Sequence, residues 1–164
     1  LLFMGGEFGQ WQEWNFDSSL EWAALDAPNH QGVQRTVRDL NQLYQNEPAF
    51  YENDFEQSGF EWIDASDTDN NVLSFIRRAK SSDEFLVIVS NFTPVPWEGY
   101  RIGVPEAGNY NEIFNSDSRH YWGSNMGNAD GRVADAIPKH GHPQSLSLVL
   151  PPLSTIMVKI KKVI

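Results

Sequence analysis

The sequence predicts a mainly β fold, in which an antiparallel β-sandwich over residues 54–164 follows a single βα unit over residues 1–53. Two observations support this prediction. Beyond residue 54 the chain alternates about seven short apolar runs with turn-rich segments, a pattern typical of antiparallel sandwiches. Before that point, one apolar run, a long polar loop and one apolar stripe at helical spacing follow each other in order.

The βα unit begins with residues 1–4, an unbroken apolar run that is typical of a parallel strand buried on both faces. Residues 5–32 show no steady period and are predicted to form a long loop, with a helical turn near residues 20–25. From residue 33 to residue 44 apolar side chains recur every three or four positions, which predicts an amphipathic helix. Pro48 is expected to end that helix.

The β-domain is predicted from runs that are β-branched, aromatic or alternating. The clearest alternation places Leu146, Leu148 and Leu150 on one face of a strand. A polar turn over residues 80–84 is expected to join two of the runs into a hairpin. The predicted strands cover residues 60–63, 72–78, 85–92, 100–104, 110–114, 145–150 and 155–160.

Composition excludes several classes of function. The chain has 164 residues, a net charge of −10 and only twelve Lys and Arg residues, which disfavours nucleic acid and anionic membrane surfaces as partners. Cysteine is absent, which rules out disulfides and thiol catalysis and fits a cytoplasmic protein. No apolar run approaches the roughly 20 residues of a membrane span. Six Trp residues provide flat faces that suit either a core or stacking against sugar rings.

An ordered set of motifs resembles the carboxy-terminal part of bacterial 1,4-alpha-glucan (glycogen) branching enzymes, which belong to the alpha-amylase superfamily. The set consists of Phe-Met-Gly-Gly-Glu-Phe-Gly-Gln at 3–10, Gly-Val-Gln-Arg at 32–35, Ser-Asn-Phe-Thr-Pro-Val-Pro at 90–96, Gly-Ser-Asn-Met-Gly-Asn at 123–128 and Leu-Pro-Pro-Leu-Ser-Thr at 150–155. Each motif is weak alone, but their order covers essentially the whole chain.

The resemblance implies a glycosyltransferase of glycogen biosynthesis that cleaves an α-1,4 linkage and rejoins the chain through an α-1,6 linkage, with retention of configuration. It implies that residues 1–53 are the terminal strand, loop and helix of a truncated (β/α)8 barrel and that residues 54–164 are the terminal β-domain. The superfamily's three catalytic carboxylates follow earlier barrel strands, so none is expected in this chain. The fragment alone is expected to be inactive, no cofactor is expected, and the parent's partner is an α-glucan.

Four residues are candidates for substrate binding. Glu7 follows the first predicted strand, where it would shape the cleft or make a local bond in the Gly-rich turn. Gln10 and Trp14 continue the same loop, and Trp14 would either stack on a glucan or plug the barrel mouth. Trp62, in the β-domain, would be either an exposed glucan platform or a core residue.

Other residues that resemble sites are interpreted as structural. Glu13, Asp17 and Glu21 lie in a loop where solvated side chains are expected, so no catalytic pair is predicted there. His140 and His142 have no third ligand nearby, so a solvated loop is expected and no metal.

Two alternatives stay open at this level, a non-catalytic carbohydrate-binding β-module and a part of an amylase- or debranching-type relative. The βα unit favours a piece of an enzyme, because a free-standing module has no need of it. Residues 1–32 are then expected to be partly disordered, or held by a neighbouring molecule through self-association of the fragment.

Overall fold

The computed structural model describes residues 2–81 and 83–161. One α-helix, eight strands and five short 3-10 helices make up the regular structure of this part of the chain. The elements are α1 (Pro28–Asn46), β1 (Phe60–Asp67), β2 (Val72–Arg78), β3 (Phe85–Asn91), β4 (Trp97–Val104), β5 (Asn109–Asn115), β6 (Arg132–Val133), β7 (Gln144–Leu150) and β8 (Ser154–Ile160).

The strands form a six-stranded sheet in the order β1-β2-β3-β8-β5-β6 and a two-stranded sheet of β4 and β7. Every pairing is antiparallel. The predicted mainly β fold is therefore confirmed, and each strand predicted for the β-domain is present. Only β6, two residues long, had no counterpart in the prediction, because a pattern of two residues carries no period.

The main core lies between the two sheets. Leu146, Leu148 and Leu150 of β7 are all buried, as their alternation predicted, and they face Ile156 and Val158 of β8 across the same apolar cluster. Large-to-small changes in such a core typically cost about 2–5 kcal/mol. The sandwich thus supplies most of the apolar burial in the described chain.

A second, smaller core covers the other face of the six-stranded sheet. Leu86, Ile88 and Met157 point to this side, and the partly buried Leu40 and Leu43 of α1 pack against it. Strand β3 is consequently buried on both faces. The predicted helical stripe therefore has a partner within the chain, and α1 is part of the folded unit.

The amino-terminal segment departs from its prediction. Leu2, Phe3 and Met4 form no strand and are 60%, 70% and 59% exposed, and Leu1 lies outside the described residues. A parallel strand requires a neighbour to satisfy its backbone groups, and no described strand pairs with this segment. The predicted buried strand is therefore wrong at residues 2–4, the part of it that the structure describes.

The rest of the amino-terminal region follows the prediction more closely. The expected helical turn is a 3-10 turn over Trp22–Asp26. The helix begins at Pro28, ahead of the predicted residue 33, because proline at the first helical position needs no backbone N–H partner. It ends at Asn46, two residues before Pro48, as expected.

Two buried asparagines hold the long loops of the β-domain. The Asn91 side-chain amide donates to the carbonyls of Val95 and Pro151 at 2.8 and 2.9 Å. The Asn128 side chain donates to the Val149 carbonyl and accepts from its N–H, both at 2.9 Å. These residues come from the Asn-Phe-Thr-Pro and Gly-Asn motifs, whose polar side chains therefore replace a missing strand partner.

Candidate functional site

Glu7 and Gln10 lie in the tight amino-terminal turn. The Glu7 carboxylate accepts a 2.8 Å hydrogen bond from the N–H of Gly5, which has a φ of 90°. The Gln10 side chain lies so close to Gly5 that a Cβ there would be 2.3 Å from it, and its oxygen accepts from Glu21 N–H at 3.4 Å. Both side chains therefore organise the turn, which is the local interpretation foreseen for Glu7.

Trp14 lies in an exposed aromatic cluster on the same loop. Its ring centroid is 6.0 Å from that of Phe3 and 6.2 Å from that of Phe16. Trp14 is 40% exposed and Phe16 is 78% exposed. The cluster therefore presents ring faces at the surface of the chain, which suits either of the two roles predicted for Trp14.

His30 anchors this loop to α1 and was not singled out as a functional residue by sequence reasoning. It is 4% exposed, and its Nδ1 lies 3.0 Å from the Phe8 carbonyl oxygen. The Trp11 ring meets the His30 ring edge-on at 5.2 Å, and Trp22 stacks on Phe8 at 5.4 Å. The signal was available in the sequence as a polar residue at the start of an apolar helix face.

Trp62 lies on β1, in a different cluster. It is 52% exposed and meets Phe60 at 4.9 Å and Phe75 at 5.8 Å, both edge-on. The core interpretation of Trp62 is therefore wrong, and the surface geometry of a platform is present. The structure brings Glu7, Gln10 and Trp14 onto one loop but does not join Trp62 to them.

Of the loop carboxylates, Glu21 has a clear structural task. Its Oε2 accepts from the N–H groups of Trp11 and Gln12 at 2.8 and 3.0 Å. Asp17 contributes only its backbone N–H, which donates to Asn15 Oδ1 at 2.9 Å. These contacts shape the loop and give no support to a catalytic pair.

The two loop histidines are not solvated, which corrects the prediction. The side chains of His140 and His142 are only 16% and 10% exposed. His140 Nε2 lies 3.6 Å from Asp64, and His142 Nε2 lies 3.4 Å from Glu61. The turn packs tightly because Gly103 lets the backbone approach, since a Cβ there would be 2.1 Å from the Lys139 carbonyl oxygen.

Within residues 2–81 and 83–161, no group of three or more His, Cys, Asp or Glu side chains is arranged to hold a metal ion. No helix in this part of the chain has the length and apolarity that crossing a bilayer requires.

The fold and surface define an all-β sandwich domain with a docked helix, in which Trp14 and Trp62 lie in separate exposed aromatic clusters. The family described as Alpha amylase, C-terminal all-beta domain, matches residues 62–161, and the chain belongs to this family. This family match agrees with the motifs found in the sequence of the β-domain.

Among curated proteins, the chain is similar to the 1,4-alpha-glucan branching enzyme GlgB of Aquifex aeolicus, with 54% identity over 97% of the chain and 25% of that protein. It is also similar to GlgB of Synechococcus elongatus, with 57% identity over 97% of the chain and 20% of that protein. The chain therefore spans a fifth to a quarter of these relatives' length.

A crystal structure of a MutB mutant, from crystals soaked with trehalulose, shares the fold. It is 18% identical, with a TM-score of 0.50, and the match covers 86% of this chain and 20% of that chain.

Proposed function

We propose that this chain is the carboxy-terminal part of a 1,4-alpha-glucan branching enzyme, which cleaves α-1,4 linkages of a glucan and transfers the released chain to form α-1,6 branches. The observation that carries the proposal is 54–57% identity to GlgB proteins over 97% of the chain. The retaining reaction needs one carboxylate as nucleophile and one carboxylic acid as proton donor. Those groups are assigned to the rest of the enzyme.

The exposed apolar face of residues 2–22 supports the division into residues 1–53, a part of the catalytic barrel, and residues 54–164, the β-domain. Large apolar patches on a protein surface usually mark an interface. Here Leu2, Phe3, Met4, Trp11 and Trp22 are each more than half exposed, so this segment carries an exposed apolar surface. In the enzyme the remaining barrel would cover it, and in the isolated chain self-association would.

The role proposed for this chain is scaffold and glucan contact. Trp14 and Trp62 offer half-exposed rings for stacking, and Glu7 and Gln10 hold the turn that orders the Trp14 loop. The net charge of −10 suits a neutral polymer, whose hydroxyls need hydrogen bonds and ring faces and no counter-charge. A cytoplasmic location belongs to the same proposal.

The alternative of a free-standing carbohydrate-binding module is less well supported. Leu40 and Leu43 of α1 pack against the second core, and the aligned segment in the GlgB relatives includes the amino-terminal loop and helix. A module would need only the sandwich.

The proposal is tested by two measurements on this 164-residue chain. An iodine-stain assay on amylose is expected to show no branching, and turnover would contradict the assignment of the catalytic groups elsewhere. The second measurement is a titration with maltoheptaose, followed by Trp fluorescence. The affinity for maltoheptaose is expected to fall with Trp62→Ala and with Trp14→Ala. Phe55→Ala removes an equally aromatic side chain that is 99% exposed, and it should leave the titration unchanged.

A further inference from the structure

A groove opens between the sheets where β1 and β4 face each other. Its volume is about 530 Å³, within the range of roughly 300–1,000 Å³ that is usual for small-molecule sites. Its lining includes Asp64, Asp67, Asn70, Trp97, Tyr100 and His140. None of these residues belongs to the glucan contacts proposed above.

Both strands are irregular at this point. The register of β1 shifts between Trp62 and Asp64 and again between Asp64 and Asp67, and that of β4 shifts between Trp97 and Tyr100. Bulges of this kind redirect side chains at sheet edges and are enriched beside functional sites. Here the first shift lets Ile63 enter the core while Asp64 reaches His140.

The polar groups of the groove are held in place. The Tyr100 hydroxyl donates to Asp67, and the Asn70 side-chain amide donates to both Asp67 oxygens at 2.9 and 2.8 Å. Burial opposes ionisation of Asp67, but the hydrogen bonds from Tyr100 and Asn70 outweigh it, so its pKa lies below the usual value. Asp67 therefore stands as a fixed, ionised hydrogen-bond acceptor.

The charges of the groove are mixed. Three carboxylates, those of Asp64, Asp67 and Glu98, line the groove beside Lys139 and Arg101, and Arg101 is engaged with Asp135 at 2.8 Å. Such a lining disfavours an anionic ligand. The half-buried rings of Trp97 and Tyr100 pack against the main core and line the groove beside fixed acceptors and donors. This combination suits a ligand with apolar ring faces and many hydroxyls.

We propose that the groove between β1 and β4 is a second α-glucan contact site, distinct from the Trp62 platform and taking a short α-1,4-linked oligosaccharide. This proposal rests on the proposed function, which supplies the substrate class. Trp62 packs with Phe60 of β1 and Phe75 of β2, whereas Asp64 turns to the histidine turn at the opening between the sheets. Strand β1 would thus contribute to two glucan contact sites, the Trp62 platform and the groove.

The test is a maltoheptaose titration of the ¹⁵N-labelled chain, followed by its amide signals. The groove predicts saturable shifts at Asn70, Gly99 and Tyr100. Ser66 is exposed and lines the groove, so the arginine side chain of Ser66→Arg should fill it. The affinity for maltoheptaose that these shifts report is then expected to fall at least tenfold. Ser58 is equally exposed and lies outside the groove lining, so Ser58→Arg is the matched control and should leave binding unchanged.

The outcomes separate this inference from the proposed function. Shifts at the groove that persist in Trp62→Ala support a second site. Shifts confined to Trp62 and Trp14 overturn the groove and leave the proposed function intact, whereas no shift anywhere overturns both. A parallel titration with inorganic phosphate should give no groove shifts, and a phosphate response without a maltoheptaose response would overturn the assignment to a neutral sugar.

Discussion

The Tyr121 hydroxyl donates a 3.0 Å hydrogen bond to the Asp39 carboxylate and so ties the helix α1 to the β-domain. His120 Nε2 lies 3.2 Å from the same oxygen, and the neighbouring Arg35 side chain donates to the His120 carbonyl at 2.7 Å. Burial and the negative charge of Asp39 raise the pKa of Tyr121 to about 12. The hydroxyl therefore stays a donor throughout the physiological pH range.

Tyr121→Phe is expected to lower the free energy of unfolding of the chain by about 1–2 kcal/mol, because a hydrogen bond to a charged group is worth roughly 1.5–3 kcal/mol and the Asp39 side chain is 22% exposed to water. The ring and its packing against Phe114 would be kept. Urea denaturation followed by circular dichroism measures the loss. Tyr44→Phe serves as the control, because Tyr44 lies half-exposed on the same helix. Equal effects of the two substitutions would show that the Asp39 bond contributes nothing.

Gly32 lies where α1 touches the loop that carries Tyr121. A Cβ at this position would be 2.3 Å from the Tyr121 carbonyl oxygen, which is backbone and cannot swing away. Alanine normally stabilises a helix by about 1 kcal/mol relative to glycine. Gly32→Ala is nevertheless expected to destabilise the chain by about 1–3 kcal/mol, because the helix must move off the loop.

Thermal unfolding of Gly32→Ala, read beside Gln34→Ala at an exposed position of the same helix, tests this expectation. The Gln34 variant should melt within a degree or two of the parent. A Gly32→Ala chain that melts at or above the parent temperature would show that the helix and loop separate at no cost.

Asn128 is expected to be one of the most sensitive polar positions. It is 1% exposed, bonds both backbone groups of Val149 and also donates to Glu112 at 2.9 Å. Asn128→Ala leaves the partly buried N–H and C=O groups of Val149 without the Asn128 side chain as a partner, so a loss of about 2–4 kcal/mol is expected. Chemical denaturation is the measurement, with Asn125→Ala, on the more exposed part of the same loop, as the comparison.

The sequence predicted elements whose pattern is set by local burial. Leu146, Leu148 and Leu150 alternate because one face of β7 meets the core, and that period is visible without a structure. Residues 2–4 were misread because an apolar run is compatible with a strand, but a strand also depends on its neighbours. The presence of a neighbouring strand cannot be inferred from the apolar run alone.

The candidate site was predictable in part and for a similar reason. Trp14 and Trp62 could be singled out as aromatic residues among polar neighbours, but only the fold shows that both are exposed and lie in separate clusters. The burial of His140 and His142 depends on the approach of distant Gly103 and on two carboxylates of β1. Contacts across so many residues leave no local signal.

His140 gives the chain a pH-dependent stability. Burial is the main cause that lowers its pKa below 6.5, the charges of Lys139 and His142 add to it, and Asp64 and Asp67 oppose it. The folded chain therefore binds a proton at His140 less readily than the unfolded chain. Above about pH 6.5 both forms are neutral and stability is complete, whereas below it the unfolded chain takes up the proton first and stability falls.

His140→Gln is thus expected to flatten the dependence of the free energy of unfolding on pH just below 6.5. Lys139→Gln should flatten it less, because Lys139 is the second cause of the shift. Lys161→Gln removes the same charge at an exposed position at the end of the described chain and should leave the slope as it is. Urea denaturation at half-unit steps from pH 5 to pH 8 measures the slopes. An unchanged slope in His140→Gln would mean that the buried turn opens before His140 titrates.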